Sequence, residues 1–289
     1  MKVGVDLPYF RDPGEIRAYA SAVEELGFDS LGYSEHVAAS RRTAFPPNFA
    51  FDDPWHESTT LSAFLAAATT RIELNPSVLL VTLRHPVLAA KQTAEIDLLS
   101  GGRLRLAVAV GWNREEQVAL GVDPTTRGER IEEQVELLRR LWDEKAVSYR
   151  GRHYQLDEIG IHPRPGRRIP IWLGAGSIFS RGVPETKVLE RVARLADGFK
   201  MMAPLALDRE RAASIVSELR ALAGDRPVGV EGRMVMQQTD PDDWPDAVAF
   251  WKSLGADYLG VANRIAGGGV EEQLERLRAF VAATRADWA

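Results

Sequence analysis

Three short stretches of this sequence hold side chains able to do chemistry, and each follows a run that reads as a buried strand. "SEHV", Ser34 to Val37, sets an acid beside an imidazole. A carboxylate next to a histidine can fix the ring's tautomer or raise its basicity, which makes Glu35 and His36 a candidate acid–base pair. Neighbouring side chains on a strand point to opposite faces, so the dipeptide taken alone reads better as a surface histidine at a loop start. "VAVGWNREE", Val108 to Glu116, ends an apolar run with Gly111 and then sets Trp112, Asn113 and charges in the open. Packing needs no such ending, so the chain bends there around something flat or polar. "IWLGAGS", Ile171 to Ser177, runs into small residues whose N–H groups can cradle a phosphate, although glycine serves tight turns regardless of ligands.

These stretches need elements to position them. Eight apolar, β-branched runs stand out: Lys2–Leu7, Ser30–Ser34, Ile72–Leu80, Leu104–Val110, Pro170–Leu173, Gly198–Met202, Val228–Met236 and Tyr258–Ala262. Between them lie stretches of 3.6-residue periodicity, many opening on Pro, Asp, Asn or Ser and closing near Gly. Eight strands alternating with helices suit a closed (β/α)₈ TIM barrel, of class α/β, better than an open doubly wound sheet. One stretch breaks the rhythm: residues 123–165 hold an extra helix and the hairpin pattern "VSYRGRHYQL", which reads as an insertion after strand four of one 289-residue domain. Pro76, inside the third run, either demotes that segment from a central strand or marks a bulge, and a bulge there would push backbone into the barrel mouth.

In such a barrel the active site forms at the C-terminal strand ends, where Asp6, Tyr9, "SEHV", "NPSVLL", "GWN" and "GAGS" all fall. Other chemistries lose their support. The five histidines, at 36, 56, 85, 153 and 162, show no metal-ligand spacing, and the absence of cysteine removes thiolate sites. There is no G-x-S-x-G elbow and no phosphate-binding loop of the NTPase kind. A net charge of −5 without basic runs gives no footprint for nucleic acid or an anionic membrane. No apolar run approaches the ~20 residues of a membrane span, and a cytoplasmic protein is the default.

Taken in order, "SEHV", "NPSVLLVTLRHPVLAAKQTAEIDLLSGGRLRLAVAVGWNREE", "RGERIEEQVELLRRLW", "YQL", "RPGRRIPIWLGAGS" and "RVARLADGF" resemble the luciferase-like monooxygenase family, in particular its branch dependent on the deazaflavin coenzyme F420. The resemblance implies a barrel binding a flavin-type ring at its C-terminal mouth. It places Gly111, Trp112 and Asn113 against the ring or its ribityl tail, with Asp6 in the same set. It implies a non-proline cis peptide at Ser77-Val78 supporting the ring, and a phosphate site on Gly174, Ala175, Gly176 and Ser177. His36 takes the position of the family's acid or base, with Glu35 where many relatives have Asp.

The activity so implied is hydride transfer between coenzyme F420 and a small organic substrate, with Tyr9, Phe45, Phe49 and Trp55 as substrate contacts. The segment "RRTAFPPNFAFDDPWHES" reads as a lid or, equally, as a packed surface loop. Two alternatives share the fold: an FMN-dependent monooxygenase fed by a partner flavin reductase, and a non-catalytic flavin- or deazaflavin-binding protein. Relatives are often dimers, so a homodimer is expected. The aromatic residues of the segment suit an apolar or ring-shaped substrate.

Overall fold

The fold was analysed in a computed structural model, which describes residues 1–44, 49–176, 183–202, 208–265 and 268–288. The strands are β1 (Lys2–Asp6), β2 (Ser30–Tyr33), β3 (Glu73–Pro76), β4 (Leu79–Leu80), β5 (Leu106–Ala109), β6 (Val147–Arg150), β7 (Gln155–Ile159), β8 (Ile171–Ala175), β9 (Gly198–Met201), β10 (Gly229–Val235) and β11 (Tyr258–Ala262). Nine of them form one parallel sheet in the order β3-β2-β1-β11-β10-β9-β8-β5-β4. β3 and β4 are the two halves of the third barrel strand, and a bridge between Leu74 and Leu104 joins that strand to the segment entering β5. The eight expected strands are therefore present, the third broken where Pro76 predicted a bulge.

The helices are α1 (Pro13–Glu25), α2 (Ser58–Ala68), α3 (Pro86–Leu99), α4 (Arg114–Ala119), α5 (Arg127–Asp143), α6 (Thr186–Leu195), α7 (Arg209–Ala223), α8 (Trp244–Ser253) and α9 (Val270–Thr284). Several starts are capped by side chains: Asp12 accepts from Gly14 and Glu15 N–H, Glu57 from Thr59 and Thr60, and Asp208 from Arg211. The insertion holds α5 and the antiparallel pair β6–β7, as the "VSYRGRHYQL" pattern implied. None of the described helices is long and apolar enough to cross a membrane.

A repeated device sets the strands in register at the N-terminal end of the barrel. Asp29, Asp197 and Asp257 each stand just before a strand and accept a backbone N–H in the first two residues of the neighbouring one: Val3, Ile171 and Val230, at 2.8, 2.9 and 2.8 Å. Each pairing supplies a strand-start donor that would otherwise lack a partner.

Alternate residues of each strand face outward under the helices, where Val3, Val5, Leu31, Leu106, Val108, Phe199 and Val261 are buried. The inward set includes a charged cluster beside Trp172 and Ala107. Arg105 donates to Glu73 (2.5 Å) and Glu231 (2.6 Å), Lys200 donates to Glu231, and the Arg105 guanidinium lies 3.8 Å from the Tyr258 ring centroid. Nearer the mouth, Arg233 pairs with Asp6 at 2.8 Å.

Burial alone would raise the Glu231 carboxyl, but Arg105 and Lys200 hold it at about 2. Because this value lies below the ordinary 4.5, the pairing contributes stability that is complete well above 4.5 and is lost as pH falls toward about 2. Glu231→Gln is expected to cost about 3–5 kcal/mol at neutral pH, since it leaves two buried cations short of their shared carboxylate. Urea unfolding across the acid range should then show a shallower pH dependence in the variant than in the wild type; parallel curves would contradict this account.

Candidate active site

The mouth is assembled from the ends of β1, β2, β4, β5, β8 and β11. At the end of β2, Glu35 and His36 part company, as strand alternation requires. The Glu35 side chain is fully buried and accepts from Ser58 N (2.9 Å), Leu80 N (2.8 Å) and the Arg84 guanidinium (2.5 and 3.0 Å). Arg84 also pairs with Glu57. Glu35 therefore cannot serve as the carboxylate of His36, and the expected acid–base pair is corrected: its oxygens are committed to the bulge, to the start of α2 and to Arg84.

The partner of His36 is Glu116. Its Oε2 lies 2.9 Å from His36 Nδ1, while Oε1 accepts from Val37 N (2.5 Å) and Ala38 N (3.1 Å). Glu116 stands in the first turn of α4, whose start is capped by Asn113 Oδ1 at 3.3 Å from Glu116 N. Asn113 Oδ1 also accepts from Thr43 Oγ1 at 3.1 Å.

Around the imidazole the expected aromatic residues converge. Trp55 and Trp112 meet the His36 ring edge-on at centroid distances of 4.6 and 5.3 Å. Trp55 in turn packs on Tyr9 (4.3 Å) and Phe49 (5.2 Å). Arg264, just beyond β11, lies 4.1 Å over the Tyr9 ring, donates to its hydroxyl and reaches Ser34 Oγ at 2.8 Å. Burial raises the Tyr9 phenol well above its ordinary value, so it stays neutral. Burial also pushes the Asp6 carboxyl up, but Arg233, Arg264 and Lys200 outweigh this and hold it below its usual range.

The floor is the bulge between β3 and β4. The Ser77-Val78 peptide is cis, as the resemblance implied. Across from it, a side chain at Gly174 would bring its Cβ within 2.7 Å of Val78 Cγ1, so only glycine allows this approach. Gly111 takes φ +75°, the left-handed turn that carries the chain away from β5 toward Trp112. Ala175 and Gly176 continue the rim, while Ser177 and Phe45 lie outside the described residues. Three buried side-chain atoms near the floor lack a hydrogen-bond partner: Asn75 Oδ1, Ser77 Oγ and Asn113 Nδ2. Buried polar atoms are rarely left so unless a ligand or water serves them. Among the described residues no group of His, Asp and Glu side chains is arranged to hold a metal ion.

With this geometry in hand, comparison with known proteins is decisive for kinship. A family model described as luciferase-like monooxygenase matches residues 1–288. The chain belongs to this family. A relative from Microbacterium testaceum, named F420-dependent glucose-6-phosphate dehydrogenase, is 27% identical over 300 residues, covering 86% of each chain. Among solved structures, the monooxygenase RslO1 of Streptomyces bottropensis superposes with a TM-score of 0.76 at 19% identity, over 100% of both chains. The coenzyme F420 dependent tetrahydromethanopterin reductase of Methanopyrus kandleri gives 0.73 at 15%, over 100% of this chain and 99% of its own. The last two establish the barrel alone.

Reading the sequence missed Glu116, Arg84 and Arg264. Asn113-x-x-Glu116 has the spacing of a helix capping pair, which points inward to the helix and not across to His36. Arg264 follows β11, the eighth strand of the barrel, and its place at a C-terminal strand end is the signal that marks it. Glu35→Ala is expected to cost about 3–5 kcal/mol in urea unfolding, because it strips Arg84 and two backbone donors of a buried acceptor. A loss under about 1 kcal/mol would return Glu35 to the list of dispensable mouth residues.

Proposed function

We propose that this protein is an oxidoreductase that moves a hydride between coenzyme F420 and a small apolar or ring-shaped organic substrate, with His36 as the proton relay. The observation that carries this reading is the placement of His36. It meets two tryptophans edge-on at the end of β2, and the same barrel mouth carries the Ser77–Val78 bulge packed against Gly174. Relatives named F420-dependent dehydrogenases support the choice of cofactor.

The residues present suit a flat ring with polar edges. Gly174 and Gly111 let backbone approach it, while Asn113 Nδ2 and Ser77 Oγ are buried polar atoms still in need of partners. The backbone of Gly174, Ala175 and Gly176 would meet the phosphate end. When bound, the deazaflavin supplies a carbon that takes or gives hydride, in place of the flavin nitrogen that supports oxygen chemistry. Trp55, Tyr9 and Phe49 exclude water and hold the substrate against that carbon. His36 exchanges the proton that must accompany hydride at an alcohol or carbonyl carbon.

Fluorescence titration of the purified protein with coenzyme F420 and, separately, FMN tests the assignment. Binding of F420 at least about ten-fold tighter than FMN is expected, a difference of about 1.4 kcal/mol. The opposite preference would favour an FMN-dependent monooxygenase served by a reductase, and binding of neither would remove the cofactor roles of Gly111, Asn113 and Gly174. With F420 bound, a screen of small alcohols, aldehydes and ketones should give turnover that His36→Ala lowers by about 10²–10⁴-fold without loss of cofactor binding. Binding without turnover of any substrate would instead suit a carrier or sensor.

A further inference from the structure

We propose that Glu116 decides which nitrogen of His36 is the base. This rests on the proton-relay role of His36 argued above. The Glu116 side chain is 1% exposed, and its carboxylate is spanned by three donors from one segment: Val37 N and Ala38 N on Oε1, and His36 Nδ1 on Oε2. A carboxylate only accepts hydrogen bonds, so the proton of the neutral ring sits on Nδ1 and the lone pair on Nε2. The base is thereby turned to the ring edge that Glu116 does not hold.

The same spacing explains the run "GWNREE". Gly111 turns the chain and Trp112 walls the imidazole. Asn113 starts α4, and Glu116, one turn after Trp112, returns to the same ring. One short segment therefore sets both the surroundings and the protonation pattern of a histidine 80 positions earlier. Glu116 touches no reacting atom and is a positioning residue. It acts on a balanced step. With the deazaflavin bound, oxidation of a substrate alcohol would break its C–H bond, both electrons leaving as hydride to that acceptor, and its O–H bond, while a C=O bond forms. The released proton bonds to Nε2 and passes from there to water. The reduction runs both transfers backward.

The amide of Glu116→Gln cannot reproduce this. Two backbone N–H groups demand its carbonyl oxygen, which leaves its NH₂ facing Nδ1 as a donor. Nδ1 must then accept, and the ring proton moves to Nε2, where the base was.

Ring-nitrogen NMR of the full chain at about pH 8.5, above the ordinary histidine range, reads this directly. The protein has five histidines, and His36→Ala identifies the relevant signals. The expected result is the Nδ1–H tautomer in the wild type and the Nε2–H tautomer in Glu116→Gln. The variant should bind F420 within about two-fold of wild type and lose about 10²–10⁴-fold in turnover, the span a positioned acid–base group contributes. A wild-type His36 in the Nε2–H form would overturn the proposal even if the variant did not fold. So would an unchanged tautomer in the variant, or a changed tautomer with unchanged turnover. If the wild type binds no F420, the cofactor reading fails while the NMR measurement still judges Glu116.

Discussion

A single buried carboxylate holds the site together. Glu35 accepts from the end of the bulge through Leu80 N, from the start of α2 through Ser58 N, and from Arg84. A buried charge is tolerated only when its oxygens are satisfied, so these three segments cannot separate without leaving it unpaired. Arg84 extends the tie to Glu57, the cap of α2, and Gln134 of α5 donates to Val81 O (3.0 Å) and Arg84 O (2.8 Å). The segment that carries His36, Phe49 and Trp55 thus begins at Glu35 and ends at Glu57 on the same guanidinium. Its first end is also tied to the bulge, through Leu80 N on Glu35.

Below the mouth the barrel departs from the aliphatic layers usual for the fold. Glu73, Arg105, Lys200 and Glu231 fill the lower interior, and Asp6 with Arg233 stands above them. Ion pairs of this kind add little net stability against well-packed apolar side chains, but breaking one partner is costly. Their value here is directional. Charge-assisted hydrogen bonds fix side-chain geometry more tightly than dispersion contacts do, which suits a platform beneath the aromatic wall and the flat ring proposed to bind there. The depressed carboxyl of Asp6 follows from the same arrangement, because the cations around it outweigh the cost of burial.

Much of this was legible in the sequence. Strand and helix patterns gave the eight barrel strands within a residue or two, and the hairpin except for the last three residues of β7, because β-branched runs and 3.6-residue periodicity are local signals. Pro76 announced the bulge, and Gly111 announced the turn before Trp112. Tyr9, Phe49, Trp55 and Trp112 did gather around His36. The pairing of acids with their partners was not legible. Glu35 and His36 are adjacent in sequence yet serve different layers, while Glu116 and His36 are far apart and share a hydrogen bond. Those partnerships depend on how loops fold back across strand ends, which no local pattern encodes. The charged interior escaped notice for a related reason: Glu73, Arg105, Lys200 and Glu231 sit singly in different strands and meet only when the barrel closes.

Glu35 and Glu116 solve the same problem in two places. Each accepts two backbone N–H groups that a loop leaves without a strand or helix partner, and each spends its remaining capacity on a nitrogen-bearing side chain, Arg84 or His36. The outcome differs because the third partner differs. Arg84 is a permanent cation that never gives up a proton, so the Glu35 cluster is fixed and bears only on geometry. His36 can gain and lose a proton at the nitrogen that Glu116 leaves free, so the second cluster joins the same loop anchoring to an exchangeable site. The difference between scaffold and chemistry at this mouth therefore lies less in the acids than in what each one faces, and strand alternation at Glu35 and His36 is what sends the two side chains to different answers.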